Sequence, residues 1–406
     1  MRFETFIAHR LYFTQKEGQR SSRPAVRVAL AGIIIGVAVM IVTVCVVVGF
    51  KQTVTEKVVG FAAHIRVVNF DNNNTYEMRP VAVTDSMLNR LSSLQHIEQA
   101  NVFATKPGII KTDDAFQGIV FKGTTYWDYF AGNLIAGRLP EKENEVIVSD
   151  NLCGLLNFNE GDAALCYFVG EQVRARKFTI TGVYRTGFGE FDERFVLGQI
   201  PVVQRLNGWS EKQYSGIELY VDNMHNLTFA ADEVFFATAN RFDEDGNAYY
   251  METLEQLNPQ IFSWLDLLDM NVVVIILLML AVSGFNIVSG LIILILDSIQ
   301  MIGVVKALGA TNRQVRRIFV TQGAMLVGKG VVWGNVIGLL LCAIEYWGHL
   351  VPLDAVTYYV NYVPVAFPIG WLTLLNVGMI IVSVLILLAP SAIVTKISPA
   401  KVMHFE

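Results

Sequence analysis

The feature that most constrains the fold is a pair of long apolar runs separated by a short charged segment. The first run, from Val272 to Leu296, contains no charged side chain. A helix of about 20 residues crosses the ~30 Å hydrocarbon core of a bilayer, so this run is long enough to span a membrane. A second apolar run follows Arg317, with Lys329 and Glu345 as its charged residues. The chain is therefore predicted to be an integral membrane protein.

The segment between the two runs carries helix stop and start signals of its own. Gly309 follows Leu308 and is placed to adopt the left-handed conformation that ends a helix. Thr311, with Gln314 three residues later, forms the capping-box pattern that begins a new helix. The positive charges of the segment are Lys306, Arg313, Arg316 and Arg317. Because positive residues favour the cytoplasmic side, a short helix is predicted to lie in the cytosol between two spans.

Hydropathy along the rest of the chain predicts four spans in all. The region between the first two spans holds most of the charge, and it mixes strand-like runs such as HIRVVNF with helix-like runs such as TDSMLNRLSSL. The predicted fold is therefore four transmembrane α-helices with a large α+β extracytoplasmic (periplasmic) domain between helices 1 and 2. The predicted spans are 28–50, 270–296, 318–347 and 368–390. The predicted connections are the periplasmic domain at 51–269, the cytoplasmic coupling segment at 297–317 and a short periplasmic loop at 348–367.

The start of the chain and the end of the domain both have amphipathic patterns. Residues 1–27 are basic and are predicted to lie on the cytoplasmic membrane surface, with a disordered basic arm as the alternative. Residues 391–406 are predicted to be a cytoplasmic tail, so both termini face the cytoplasm. Residues 251–269 place apolar side chains at helical spacing and predict a strut helix that leads into the second span. Its functional interpretation is transmission of motion, and its structural interpretation is packing on the domain.

Glycines at four-residue spacing occur inside the predicted spans. Gly330, Gly334 and Gly338 form a smooth face on the third span, which favours close helix packing. Lys329 lies in the same run, where an ammonium group is costly. We expect it to snorkel to the interface or to pair with a residue such as Asp297, in preference to contacting substrate.

Several kinds of chemistry are absent from the sequence. A net charge of −5 argues against nucleic acid as a partner. There is no phosphate-binding loop, no spacing typical of a metal site and no catalytic motif, so neither a catalytic nor a metal residue is predicted. The acidic cluster in FGEFDERF consists of Glu190, Asp192 and Glu193; paired carboxylates can do acid/base chemistry, but this cluster is interpreted as a solvated turn. Cys153 and Cys166 are either a disulfide or two buried thiols.

The segments FNIVSG (285–290) and MIGVVKALGATNRQVRRIFVTQGA (301–324) resemble the FtsX/MacB superfamily of ABC permeases. Within it the chain is most similar to the Lol-type (LolC/LolE-like) lipoprotein-releasing permeases. The resemblance also covers NEVIVSDNLCGLLNFNEGD in the domain and APSAIVTKISPAKVM near the end. It implies a non-catalytic permease subunit in a bacterial inner membrane.

The resemblance also implies partners. These are a cytosolic ABC ATPase of the Lol type that binds ATP and Mg, a second permease in a homodimer or heterodimer, a lipoprotein substrate and membrane lipid. This chain itself would bind no cofactor. A periplasmic chaperone is a further implied partner, but the hairpin near Gly170 that would recruit it is short here, so chaperone docking stays open. The alternative functions are FtsX-like mechanotransmission to a periplasmic partner and MacB-like efflux of periplasmic substrates.

The resemblance assigns roles to individual residues. Contact with the ATPase is assigned to Met301, Ile302, Val304, Val305, Lys306, Leu308 and Gly309. A substrate cavity between the first two spans is predicted to be lined by Ile41, Val48, Met279 and Phe285.

Overall fold

The computed structural model describes residues 23–72, 77–112, 115–170 and 173–391. The predicted basic N-terminal segment therefore lies largely outside the described residues, and so does nearly all of the predicted C-terminal tail. The described chain divides into two compact units. We call 52–264 with 352–362 the interspan domain, and the remaining described residues the membrane unit.

The interspan domain contains both short helices and strands, and the long helices belong mainly to the membrane unit. The helices are α1 Arg23–Ala62, α2 Asp85–Ser92, α3 Asp128–Gly132, α4 Asp150–Leu156, α5 Gly189–Asp192, α6 Ile200–Asn207, α7 Leu227–Thr238, α8 Leu254–Leu257, α9 Pro259–Asp297, α10 Ile299–Ala307, α11 Asn312–Gly348, α12 Ala355–Tyr358 and α13 Ile369–Ser391. The strands are β1 Ile65–Asn69, β2 Val81–Ala82, β3 Ile97–Lys111, β4 Phe116–Thr124, β5 Leu134–Gly137, β6 Glu145–Ser149, β7 Ala163–Phe168, β8 Arg174–Tyr184, β9 Phe195–Gly198, β10 Gln213–Tyr214, β11 Gly216–Val221 and β12 Tyr249–Thr253.

Among the described residues, four helices are long and apolar enough to cross a membrane: α1, α9, α11 and α13. The first of them does not stop at residue 50, where the apolar run ends, but continues to Ala62. The structure also differs from the strut helix predicted at 251–269. Residues 251–253 belong to strand β12, and the long helix begins at Pro259. Proline is well suited to the first turn of a helix, since its missing N–H would have no partner there.

Spans α1 and α11 meet along the glycine face predicted from the sequence. A methyl group at Gly330 would stand 2.5 Å from Ile33 Cγ2, and one at Gly334 would stand 2.5 Å from Val37 Cβ. Such distances are below van der Waals contact, so only glycine allows the two backbones to approach this closely. The prediction of close packing at Gly330, Gly334 and Gly338 is confirmed.

Spans α11 and α13 are joined by a pair of amides. Asn335 Nδ2 donates to Asn376 Oδ1 at 2.7 Å, and Asn376 Nδ2 donates to Asn335 Oδ1 at 3.0 Å. Each Nδ2 also donates to the carbonyl one turn earlier, at Val331 and Leu372. The pair therefore satisfies its polar atoms where water is scarce.

Replacing Asn335 with leucine is expected to lower the free energy of unfolding by about 0.6–1.7 kcal/mol, the range for interhelical hydrogen bonds in membranes. The loss should be smaller in an Asn335→Leu/Asn376→Leu double variant than the two single losses added together, because the second change removes an amide that has already lost its partner. Thermal unfolding of the four proteins of this cycle in detergent measures the coupling. Additive losses would show that the amide pair does not hold α11 to α13.

The interspan domain is built on a mixed sheet. In the described part of the chain its ten strands run in the order β12-β1-β11-β3-β4-β9-β6-β8-β5, with β7 paired to β3 and β8. The β4–β9 and β6–β8 pairs are parallel and the other pairs are antiparallel. Helices α2 and α7 cover one part of the sheet and α4 and α6 another, which gives two apolar cores. The α+β domain predicted between the first two spans is confirmed.

Local signals in this domain match the sequence predictions. The predicted strands in HIRVVNF, NEVIVSD, ARKFTITGVY and SGIELYVD correspond to β1, β6, β8 and β11. Helix α2 is capped by Thr84, whose side chain accepts a hydrogen bond from Met87 N. Cys153 and Cys166 are free thiols in the structure and do not form the alternative disulfide.

A partly buried histidine gives the interspan domain a pH-dependent stability. His64 Nδ1 accepts a hydrogen bond from Val221 N at 3.1 Å, and burial lowers the pKa of the imidazole to about 4. The unfolded chain binds a proton near the ordinary pKa of about 6.5, whereas the folded domain does not. Stability from neutral His64 is therefore complete above about pH 6.5 and is lost as pH falls towards 4.

We expect the thermal midpoint of the wild-type chain to fall more steeply between about pH 7 and pH 5 than that of a His64→Asn variant. Asparagine keeps an acceptor near the position of Nδ1 but does not titrate. His225 is exposed, so His225→Asn is the matched control and should keep the wild-type slope. An equal slope in the His64 variant would contradict this explanation.

Candidate functional site

The short helix α10 is held in place at both ends by its own sequence. Gly309 has a φ of 97°, the positive value expected at a helix stop. Thr311 N donates to Gln314 Oε1 at 2.8 Å, and Gln314 N donates to Thr311 Oγ1 at 3.3 Å. This capping box starts α11, as predicted from the sequence. The chain therefore makes a fixed turn between two spanning helices.

One face of α10 is packed on the membrane unit. Ile302 is fully buried, and Met301 and Val305 are partly buried against the same core. That core includes Ile295 at the end of α9 and Phe319 near the start of α11. A force on α10 would therefore be transmitted to both adjoining spans through packed side chains.

The other face of α10 is apolar and exposed. Val304 is 55% exposed and Leu308 is 83% exposed. Exposed large apolar side chains that lie together indicate a contact surface for another protein. The predicted contact residues thus divide between a buried set (Met301, Ile302 and Val305) and an exposed set (Val304 and Leu308), with Lys306 half-buried and Gly309 at the turn.

Positive charge lies on the first turns of α11, directly after this segment. Arg313 and Arg317 are exposed, and Arg316 Nη2 donates to the carbonyl of Leu388 at 3.0 Å. That bond satisfies a carbonyl near the end of α13, where the helix dipole favours a cation. The turn therefore presents exposed apolar side chains at Val304 and Leu308 and exposed arginines at the start of α11.

The first two spans contact each other directly, which changes the predicted cavity. Gly32 of α1 lies against Asn286 of α9, and Gly36 lies against Ser283. At the other end of this helix pair, Lys51 Nζ lies 2.5 Å from Asp269 Oδ2. A cavity between the first and second spans of one chain is therefore not formed at these positions.

The predicted cavity residues do not share one environment. Ile41 is fully buried, and a methyl group at Gly338 would stand 3.1 Å from its Cβ. Ile41 is thus part of the contact between α1 and α11, which corrects its assignment as a cavity residue. Val48 and Met279 are partly buried, whereas Phe285 is 75% exposed on the outer side of α9. Sequence periodicity could not distinguish these faces because α1 is apolar all round.

The acidic cluster in FGEFDERF is also different from the prediction. Asp192 is buried, and its carboxylate accepts hydrogen bonds from Thr186 Oγ1 at 2.6 Å and from the backbone N–H of Phe188 at 3.2 Å. Burial raises the pKa of Asp192, while these hydrogen bonds oppose the shift. The interpretation as a solvated turn is wrong for this residue, which holds the turn together.

Lys329 is exposed in the single chain.

No metal centre is apparent in the part of the chain that the structure describes, where no three His, Cys, Asp or Glu side chains are grouped to hold an ion. The fold and the α10 turn instead define a class: a four-span membrane protein with a large α+β domain between the first and second spans.

Comparison with known families identifies the class further. Residues 28–234 match the MacB-like periplasmic core domain, and residues 273–399 match the FtsX-like permease C-terminal family. The chain belongs to the FtsX/MacB family of ABC transporter permeases.

Individual relatives match over nearly their whole length. The chain is 23% identical over 405 residues to the lipoprotein-releasing system transmembrane protein LolC of Neisseria meningitidis, covering 93% of this chain and 94% of that protein. It is 23% identical over 401 residues to LolE of Haemophilus influenzae, with 92% of each covered. The pyoverdine export ATP-binding/permease protein PvdT of Pseudomonas entomophila is 23% identical over 324 residues, which cover 77% of this chain and 49% of PvdT.

Proposed function

We propose that this chain is the permease subunit of an ABC transporter that extracts lipoproteins from the outer leaflet of the inner membrane for transfer towards the outer membrane. The observation that carries the proposal is the similarity to LolC and LolE over nearly the full length of each chain. The composition of the spans supports it, because three of the four predicted spans contain no charged side chain. Pathways for protons or ions are lined by ionisable residues, whereas an acyl chain needs an apolar surface.

In this proposal a separate subunit supplies the energy for transport. A cytosolic ATPase binds ATP and Mg, and the permease itself hydrolyses nothing and holds no cofactor. The exposed apolar face of α10, with Val304 and Leu308, is the contact for that ATPase. The proposal requires α10 and both termini to lie in the cytosol and the interspan domain to lie in the periplasm. The positive charge around α10 supports this orientation.

The lipid anchor would enter a cavity formed with a second permease, either an identical copy or a LolC/LolE-like homologue. Direct contact at Gly32 and Gly36 closes the space between this chain's own first two spans. The outer side of α9 is apolar and exposed, with Phe285 and Leu277 more than half exposed. This face would line one side of the cavity, and Val48 and Met279 lie at its margin in the proposal.

Chaperone docking through a long hairpin is not part of the proposal. Phe168 of β7 pairs with Arg174 of β8, so the connection runs only from residue 169 to 173. Residues 171 and 172 of it lie outside the described residues. A chaperone, if the system uses one, would dock on the second permease.

Reconstitution tests the function. The permease and its ATPase are placed in proteoliposomes with an acylated reporter lipoprotein, and the reporter that leaves the membrane is measured with and without ATP. The expected result is ATP-dependent release that needs the acyl chains for loading. ATP hydrolysis without any release would contradict the proposal.

MacB-like efflux is the second candidate, and the similarity to the exporter PvdT favours it. It predicts movement of a soluble substrate that carries no lipid. The same vesicles distinguish the two, because an unacylated reporter would then be transported as well as the acylated one.

A further inference from the structure

The interspan domain has a groove on its surface. It consists of two adjoining hollows with volumes of about 290 and 280 Å³. Both hollows are lined by the same five residues, Phe191, Phe195, Leu257, Asn258 and Pro259. They therefore form one continuous groove with aromatic and polar lining residues, located where α8 ends and α9 begins.

A buried arginine lies in the wall of this groove. Arg66 is 8% exposed, and its Nη2 donates to Glu218 Oε1 at 3.1 Å. The Nε of Arg66 is buried and has no hydrogen-bond partner among the described residues. A buried N–H without a protein acceptor is costly, and beside a hollow a ligand or a water molecule can supply that acceptor.

The second polar group in the wall is an acceptor. Glu252 of β12 is 8% exposed and lines the same hollow as Arg66. Burial raises the pKa of its carboxyl, and the nearby Arg66 opposes that shift. The second hollow is thus lined by a buried donor, Arg66, and a buried acceptor, Glu252, together with the amide Nδ2 of Asn72, which is buried without a hydrogen-bond partner among the described residues.

The charges behind the groove are balanced. Lys122 is fully buried and its Nζ lies 2.7 Å from Glu218 Oε1, so that Lys122 and Arg66 are matched by Glu218 and Glu252. This buried cluster carries no excess charge, while the exposed Arg194 lines the first hollow. A ligand that offers both an acceptor for Arg66 Nε–H and a donor for Glu252 suits the buried pair, and the peptide group offers both.

We propose that this groove binds an extended, uncharged polypeptide segment, whose peptide groups bond to Arg66 and Glu252 while its apolar side chains occupy the two hollows. The proposal rests on the proposed function in one respect: the segment would be the part of the substrate that follows its lipid anchor. The length of the groove over two hollows suits an extended chain better than a single small molecule.

Fluorescence anisotropy tests the groove directly. The probe is a fluorescein-labelled peptide of alternating serine and phenylalanine, without an acyl chain, titrated with the full-length permease in nanodiscs. Leu257→Trp fills both hollows and is expected to weaken binding by at least about tenfold. Phe229→Trp is the matched control: it lies on the exposed side of α7, outside the groove, and should bind the peptide as wild type does.

Chemical protection makes the test independent of how well Leu257→Trp folds. In a Cys153→Ser background, Gln260→Cys places a thiol in the groove and Glu255→Cys places one on an exposed position outside it. The peptide should slow maleimide labelling at position 260 and leave position 255 unaffected. Equal protection at both positions, or none at 260 at saturating peptide, would overturn the proposal.

An acylated form of the same peptide separates this proposal from the proposed function. If the peptide binds only when acylated and Leu257→Trp has no effect, the groove proposal fails while lipoprotein release stands. If the unacylated peptide binds in the groove but ATP releases no acylated reporter, the groove proposal stands and lipoprotein release fails.

Discussion

Substituting leucine for Gly334 is expected to push α1 away from α11 and to destabilise the membrane unit strongly. A methyl group alone would stand 2.5 Å from Val37 Cβ and 3.0 Å from the carbonyl oxygen of Ile34. Backbone and a β-branched side chain cannot move aside as a flexible side chain would. Overpacking of this kind costs about 1–3 kcal/mol at a single site, and a leucine here adds further atoms to the same contact.

Gly328 provides the matched control on the same helix. A methyl group at Gly328 would meet no atom within 4 Å. Gly328→Leu should therefore leave the thermal midpoint of the detergent-solubilised chain close to that of wild type, while Gly334→Leu lowers it sharply or prevents purification. Similar midpoints for the two variants would show that the glycine face is not a packing surface.

Val304→Asp is expected to abolish coupling between the ATPase and transport while leaving the permease folded. Val304 is 55% exposed, so a carboxylate there stays hydrated in the free chain and costs little stability. On contact with a partner, the same carboxylate would be desolvated in an apolar surface, which is strongly unfavourable. Substrate-stimulated ATP hydrolysis by the assembled complex is the readout, and gel filtration reports the fold.

Two variants control for this experiment. Val304→Thr has nearly the same shape without a charge and should retain most of the stimulated activity. Ile302→Asp places the same charge on the buried face of α10, so it should lower the thermal midpoint as well as the activity. Stimulated ATP hydrolysis that persists in Val304→Asp would remove α10 from the coupling mechanism.

Much of the architecture followed from local patterns in the sequence. The capping box at Thr311 and Gln314 and the stop at Gly309 are each specified within a few residues, so they could be predicted without knowing the fold. The spacing of Gly330, Gly334 and Gly338 likewise predicted a packing face. It did not say which helix would cover that face, because α1 and α9 are apolar on all sides.

The remaining features depend on residues that are distant in the chain. Arg66, Lys122 and Glu218 lie on three different strands, and only the order of strands in the sheet brings them together. Asp192 was misjudged because an acidic residue in a short turn is usually solvated, whereas here it accepts hydrogen bonds from the turn that surrounds it. Ile41 was misplaced for a similar reason, since burial of one apolar residue among many is decided by helix contacts.

The central claim is that α10 is a cytosolic contact on which a partner's nucleotide cycle acts. Leu308→Cys and Leu155→Cys, in a Cys153→Ser background, place exposed thiols on α10 and on the interspan domain. A membrane-impermeant maleimide is then applied to intact spheroplasts and to inverted membrane vesicles. The account predicts labelling of position 155 in spheroplasts and of position 308 in inverted vesicles. Labelling of both positions from the same side would contradict it.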